Sequence, residues 1–332
     1  MGKRILVIQT AFIGDVILAT ALLEQLHQME PEAELTVLVR HGNQTLLTQH
    51  PFIHQVWTWD KHNGKYRSLF RMLKQIRAYQ FDEVYNLQRF ASTGLLTAFS
   101  KAKKRVGFDK NPLSIWFTHR APHRISAPQD SIIIHEVDRI LSLLNQSLTE
   151  RVLPRLYPTA EDESLILPLT QSPFITISPG SVWKTKQVPV EVWSAFLENW
   201  KGNVYLLGAP SDAALCEQLA VNRPHVKVLA GKLTLLQSAA LMRHAEMNYV
   251  NDSAPLHLSS AMNAPVSAVF CSTIPAFGFG PLASNARVIE AQPPPSCRPC
   301  GLHGKRQCPQ GHFQCGLIST DQLQESLPSR IR

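Results

Sequence analysis

Apolar residues in the first half of the chain follow two alternating patterns. Arg4–Gln9 (R-I-L-V-I-Q), Leu35–Val39, His54–Trp59 and Glu83–Leu87 are short, nearly continuous apolar runs, as expected of strands covered on both faces. Between them, Val16–Gln28 places Val16, Ala19, Leu22, Leu23 and Leu26 at the spacing of one helical face, and Asn43–Gln49, Tyr66–Tyr79 and Ser92–Lys101 read the same way. Ile133–Leu144 predicts a helix closing this half. Such alternation over short connections predicts parallel strands joined by crossover helices. Asn145–Pro173, with Pro154, Pro158 and Pro168, has no sustained amphipathic period and reads as a linker. A second series follows: Phe174–Ser178 then Pro189–Trp200, Val204–Leu207 then Asp212–Val221, Val226–Leu229 then Leu235–Arg243, Met247–Val250 then Pro255–Met262, and Val266–Phe270. The pattern predicts an α/β protein of two doubly wound, Rossmann-like units, residues 1–155 and 170–318, with a helical tail over 319–332. Ligands of such sheets bind at the carboxyl ends of the strands, so the site is expected in a cleft where two such ends face each other.

Composition supports this reading and removes others. The 332 residues are 44% hydrophobic, too apolar for a disordered chain. The formal charge of +8 is uneven: residues 1–160 hold 20 Lys/Arg against 13 Asp/Glu, whereas residues 161–332 hold 13 against 12. An anionic partner is therefore expected at the first unit. The start imitates an export signal, with Lys3-Arg4, an apolar run and Ala19-Thr20-Ala21, but Asp15 interrupts the apolar stretch. No other stretch approaches the length needed to span a bilayer, and a cytoplasmic location is expected.

Three loops carry the candidate chemistry. Gly14-Asp15 follows the first strand; Gly14 permits a tight turn, and Asp15 opens the helix, either as a simple cap or as a general base aimed at the ligand. The glycines of a dinucleotide fingerprint are missing here. Ser178-Pro-Gly-Ser181-Val-Trp-Lys184-Thr-Lys186-Gln-Val-Pro189 is a small-residue, lysine-bearing loop before a Pro-started helix, suited to a phosphate without matching a Walker A loop. Asn251-Asp252-Ser253-Ala254-Pro255-Leu256-His257 opens another helix whose free N–H groups offer a second anion-binding device; His257 alone reads more simply as a core residue. Cys297, Cys300, Cys308 and Cys315 crowd one segment, 297–315, with His303 and His312 between them. The C-x2-C spacing fits half of a structural zinc site, the second half is irregular, and reduced thiols packing a loop are the alternative.

Taken together and in order, R-I-L-V-I-Q-T-A-F-I-G-D-V-I-L-A-T, P-G-S-V-W-K-T-K-Q-V-P, N-D-S-A-P-L-H-L-S-S-A-M-N-A-P and C-R-P-C-G…C-P-Q-G-H-F-Q-C resemble the glycosyltransferase family 9 heptosyltransferases, the cysteine segment being similar to that of heptosyltransferase-II-like members. The resemblance implies a GT-B fold and inverting transfer of heptose from ADP-heptose to the inner core of lipopolysaccharide, with no required metal. It gives Asp15 the role of base and Lys186 that of neutralising the leaving diphosphate. Ser181, Lys186, Asp252, Ser253, Ala254 and His257 would bind the donor. The sequence departs from the family in placing Val188, not tryptophan, before Pro189. A phosphorylated, lipid-linked acceptor at the cytoplasmic face of the inner membrane would suit the basic first half, with Gly14, Arg89, Arg120 and Arg124, and also Lys61, Lys65, Arg67 and Arg71, as contacts. The competing readings are a GT-B nucleotide-sugar epimerase, which would isomerise its sugar without an acceptor, and a basic nucleic-acid-binding protein, which the lack of aromatic-basic RNA motifs disfavours.

Overall fold

The computed structural model describes residues 2–60, 64–127, 129–146 and 150–327. The chain divides into two compact units, Met1–Ile125 with Ile134–Tyr157, and Ser126–Ile133 with Pro158–Arg332. In chain order the first contains β1 (Arg4–Gln9), α1 (Ile13–Met29), β2 (Glu34–Arg40), β3 (Ile53–Trp59), α2 (Lys65–Tyr79), β4 (Glu83–Asn86), α3 (Ala91–Ala98), β5 (Lys104–Phe108), β6 (His119–Ala121) and α4 (Glu136–Leu141). The second contains α5 (Ala160–Ile166), β7 (Phe174–Ser178), α6 (Val190–Asn199), β8 (Asn203–Leu206), α7 (Ala213–Ala220), β9 (Val226–Val228), α8 (Leu235–His244), β10 (Met247–Asn251), α9 (Ala254–Ala261), β11 (Val266–Val269), β12 (Ala286–Ile289) and α10 (Thr320–Glu325).

Each unit is built on a six-stranded sheet, ordered β3-β2-β1-β4-β5-β6 and β9-β8-β7-β10-β11-β12. All strand pairs are parallel. In both units the order reverses beside the first strand, so the crevice at its carboxyl end receives the loops that follow β1 and β4, and β7 and β10. The apolar runs have the two-sided burial they predict: Ile5, Leu6, Val7 and Ile8 of β1 and Ile175 and Ile177 of β7 are solvent-inaccessible. Helix α1 buries Val16 through Leu23 and also Glu24, whose carboxylate accepts the Tyr157 hydroxyl at 2.8 Å.

The structure corrects the sequence reading at several points. Asn43–Gln49 forms only a one-turn 3-10 helix, Gln44–Leu46, because Gly42 and Asn43 have just left β2 and the chain must turn into β3. The helix expected from Ile133 begins at Glu136, where the His135 ring nitrogen accepts the Val137 N–H at 3.1 Å. Within the expected linker, Thr159 and Asp162 form a capping box that starts α5, which packs on α8 and pairs Glu163 with Arg243 at 2.7 Å.

His50 follows the short 3-10 turn and packs edge-on against Phe52 and Tyr157, at ring separations of 4.4 and 4.6 Å. Neither ring nitrogen has a hydrogen-bond partner among the described residues. Burial, reinforced by His27, pushes its pKa down from 6.5 to about 4. Between those values the unfolded chain binds a proton that the folded ring refuses, so stability falls as pH falls through this window. Replacing His50 with Phe keeps the ring packing and removes this contribution, roughly 3 kcal/mol at its acid end. Melting curves of both proteins between about pH 7 and about pH 4 should show the variant's advantage growing with acidity. Curves that stay parallel would show that His50 is protonated in the fold.

Candidate functional site

At the carboxyl end of the first sheet, β1 ends in the buried Gln9 and Thr10. Gly14 and Asp15 lie in the first turn of α1, and the Asp15 carboxylate accepts the Phe12 N–H at 3.2 Å. The N-cap is thus Phe12, and Asp15, expected as the cap or as a base, is the third residue of the helix and reaches back to the cap from within the first turn. The next loop is fixed from below. The Thr10 hydroxyl donates to the Gln88 side-chain oxygen at 2.6 Å, and Asn111 donates its amide to the Gln88 and Phe90 carbonyls at 3.0 and 3.1 Å. This clamp brackets Arg89, which lines a cavity of about 520 Å³ with Phe90, Lys110, His123 and Ile125.

Of the arginines expected to meet an anionic acceptor, Arg89 is thus in the cavity, whereas the exposed Arg120 and Arg124 do not line it. Lys110 and His123 complete it without having been singled out in the sequence. Burial, with the charges of Arg89 and Arg139, pushes His123 down to about 4, so its ring is neutral near pH 7 and the cavity's charge comes from Arg89 and Lys110. Arg67 and Arg71 are exposed on α2. Lys61 and the Lys65 side chain lie outside the described residues.

The second unit assembles its site around Asn251, the buried last residue of β10. Its amide nitrogen donates to the Pro179 carbonyl at 2.8 Å and, more weakly, to those of Ser178 and Gly180, while its oxygen accepts the Val188 N–H at 3.1 Å. One side chain thereby pins both ends of the 179–188 loop. Val188, before Pro189, is buried in the apolar core. Gly180 lies against the β8–α7 turn, where a Cβ would fall 2.4 Å from the Asp212 carboxyl group. Ser181 lies in the same loop, its carbonyl accepting the Gln187 amide at 2.7 Å.

Lys184–Lys186 forms a 3-10 turn that presents Lys186 to Asp252, with Nζ 2.6 Å from Oδ2 and side-chain exposures of only 13% and 8%. The Thr273 hydroxyl donates to the same carboxylate oxygen at 2.6 Å. Immediately after Asp252, Ser253 is the N-cap of α9 and Ala254 its first residue, and no side chain caps this terminus. Backbone N–H groups and the Lys186 ammonium therefore converge at the carboxyl end of β10, an arrangement whose donors and charge suit an anion such as a diphosphate. His257 lies on the buried face of α9, edge-on to Phe279 at 6.3 Å.

The cysteine segment supports this lysine. Thr185 and Lys305 exchange backbone and side-chain bonds: the Thr185 N–H donates to the Lys305 carbonyl at 3.1 Å, and the Lys305 N–H donates to the Thr185 hydroxyl at 2.8 Å. Gly304, at φ +76°, passes so close that a Cβ would lie 3.1 Å from the Lys186 side chain. Arg298 donates through Nε to the Thr273 carbonyl at 3.0 Å, which links the segment to the hydroxyl on Asp252. The sequence leaves the four cysteines either as zinc ligands or as reduced thiols packing a loop. Among the described residues no three Cys, His, Asp or Glu side chains gather as a ligand set. Cys315 instead packs in the apolar core, where burial lifts its thiol to about 11, while Cys297 lies 3.8 Å from His312.

Two parallel sheets of this order, each carrying its polar loops at the strand ends, define the GT-B glycosyltransferase fold. The model of glycosyltransferase family 9 (heptosyltransferase) matches residues 69–309, and the chain belongs to this family of enzymes. It is 24% identical over 277 residues to lipopolysaccharide heptosyltransferase 3 of Escherichia coli, covering 79% of this chain and 82% of the relative. Its fold matches the solved structure of E. coli ADP-heptose lipopolysaccharide heptosyltransferase II with a TM-score of 0.78 at 20% identity, over 97% of both chains. It also matches E. coli heptosyltransferase WaaC with ADP, with a TM-score of 0.71 at 19% identity over 97% and 98%.

The strap from residue 304 to 305 makes a direct prediction. Gly304→Ala strains a left-handed backbone position and crowds Lys186, so amide hydrogen exchange at Thr185 and Lys305 should rise by about tenfold or more, with little change at α1. Unchanged exchange at Thr185 would mean that the segment does not hold the loop.

Proposed function

We propose that the protein is an inverting heptosyltransferase that moves heptose from ADP-heptose to a sugar hydroxyl of the lipopolysaccharide inner core. The first unit would bind the phosphorylated, lipid-linked acceptor and the second the nucleotide sugar, on the cytoplasmic face of the inner membrane. No helix among the described residues is long and apolar enough to cross a bilayer, so contact with the membrane would be peripheral. The observation that carries the reading is the convergence of Lys186, Asp252 and the uncapped start of α9, within a family of sugar transferases.

In this mechanism the Asp15 carboxylate takes the proton of the acceptor hydroxyl as its oxygen attacks the anomeric carbon, and the bond from that carbon to the diphosphate oxygen breaks on the opposite face. Negative charge grows on the departing ADP and is met by the Lys186 ammonium and the N–H groups of Ser253 and Ala254. These groups supply the positive charge without a metal. Asp252, itself held by Thr273, keeps Lys186 oriented while the site is empty, and Ser181 borders the donor from the same loop. His257, buried on α9, acts by packing beneath the donor rather than by proton transfer. Arg89 and Lys110 offer the cavity of the first unit to an acceptor phosphate or carboxylate.

A thermal-shift series with ADP-, UDP-, GDP- and CMP-sugars should show stabilisation by the ADP-sugar above the rest, and incubation of donor alone should leave the sugar unchanged, unlike in an epimerase. Asp15→Asn retains an acceptor for the Phe12 N–H and should lower turnover by about 10²–10⁴-fold with ADP affinity preserved. Turnover within a few-fold of the parent would reduce Asp15 to a helix cap. Lys186→Ala should weaken donor binding and lower kcat as well, because its partner's charge is larger in the transition state. Loss of affinity alone, with kcat intact, would restrict Lys186 to ground-state binding.

A further inference from the structure

Helix α2 buries Leu69, Met72, Leu73 and Ile76 against the first sheet. The surface beside this stripe is unusual for a solvated one: Tyr66 and Phe70, one turn apart, are 72% and 62% exposed, and Arg67, Arg71 and Lys74 stand exposed beside them. The helix contains no Asp or Glu. Arg77, further along, is already committed to the Phe99 carbonyl at 2.7 Å. Strand β3 runs parallel to β1 and β2, and only residues 60–64 separate its end from α2, so the turn bearing Tyr66 and Phe70 lies at the carboxyl end of the sheet, the end that carries Asp15 and Arg89.

We infer that this face of α2 seats the enzyme on the surface of a bilayer rich in anionic phospholipid, with Tyr66 and Phe70 entering the headgroup layer and Arg67, Arg71 and Lys74 meeting lipid phosphates. The inference rests on the lipid-linked acceptor of the preceding reading and gives it a docking surface. The chemistry selects the occupant. A bilayer interface accepts amphipathic rings among cations, the composition of interfacial helices, and the absence of any carboxylate on α2 removes the repulsion that an anionic surface would otherwise impose. A soluble anion would need the cations but not the two rings. Docking through α2 would hold the carboxyl end of the first sheet near the membrane, where a lipid-anchored sugar presents its hydroxyl.

The test is sedimentation of the full chain with vesicles of phosphatidylcholine alone and of phosphatidylcholine with phosphatidylglycerol. The parent should bind only the anionic vesicles, and added salt should weaken binding. Arg67→Gln, Arg71→Gln and Lys74→Gln together should lower the affinity on the order of a hundredfold, about fivefold for each cation. Tyr66→Ser with Phe70→Ser should lower it roughly tenfold by removing apolar area from the interface. All of these positions are exposed, and unchanged melting temperatures check that the variants fold. Equal binding to both vesicles, no binding to either, or parent-like binding by the charge variant overturns the inference. So does a result in which the ring variant binds like the parent while a DNA duplex competes fully, since the face would then be a general polyanion surface. Transfer to a delipidated, water-soluble core acceptor separates this from the catalytic reading: the Tyr66→Ser, Phe70→Ser variant should retain the parent's rate there. If the parent itself transfers nothing to that acceptor, the proposed function fails whatever the vesicles show.

Discussion

The second unit depends on the buried amide of Asn251. A parallel sheet leaves its carboxyl-end loops with backbone groups that no neighbouring strand satisfies, and burying them unpaired would cost about 1–3 kcal/mol each. Asn251 satisfies the Pro179 carbonyl and the Val188 N–H from one position in β10, so the loop between β7 and α6 has its two ends fixed to the strand that also delivers Asp252. Lys186 and Asp252 are therefore brought together by backbone constraint before they attract each other. The ion pair refines a geometry that it does not have to create.

A second layer of support comes from the segment between β12 and α10. Arg298, Gly304 and Lys305 reach Thr273, Lys186 and Thr185. The region distinguished in sequence by its cysteines thus acts on the loop through backbone groups and other side chains. Its thiols are not equivalent. Burial raises Cys315, while the N–H of Phe313 and neighbouring amides draw Cys308 below the usual thiol range.

The alternation of apolar runs and helical periods was enough to reveal both doubly wound units, because parallel strands buried on two faces have few ways to hide in a sequence. The edges were harder to read. Strands β5, β6 and β12 include Lys104, Arg105, His119, Arg120 and Arg287. Their polar side chains suit positions near a sheet edge and interrupt the apolar signal. Helices α5 and α10 are short and are fixed by capping boxes more than by an apolar stripe. At the site, loop motifs pointed to Asp15, Lys186, Asp252 and Ser253, which share recognisable turns. Thr273 and Gly304 act on Asp252 and Lys186, Arg298 acts on Thr273, and Asn111 acts on the loop that carries Arg89, each from more than twenty positions away in sequence, across contacts that no local pattern encodes.

The close pairing of Lys186 with Asp252 also sets what an empty site will accept. With its own counterion in place the lysine is electrically neutral to a passing solute, so chloride or a monoanionic metabolite gains little by approaching it and cannot cheaply take the carboxylate's place. A ligand that bears two adjacent phosphates can take one contact from the ammonium and others from the start of α9, and so compensates for disturbing the pair. In the proposed donor role the built-in carboxylate would act as a valence filter, trading some affinity for discrimination against small monoanions.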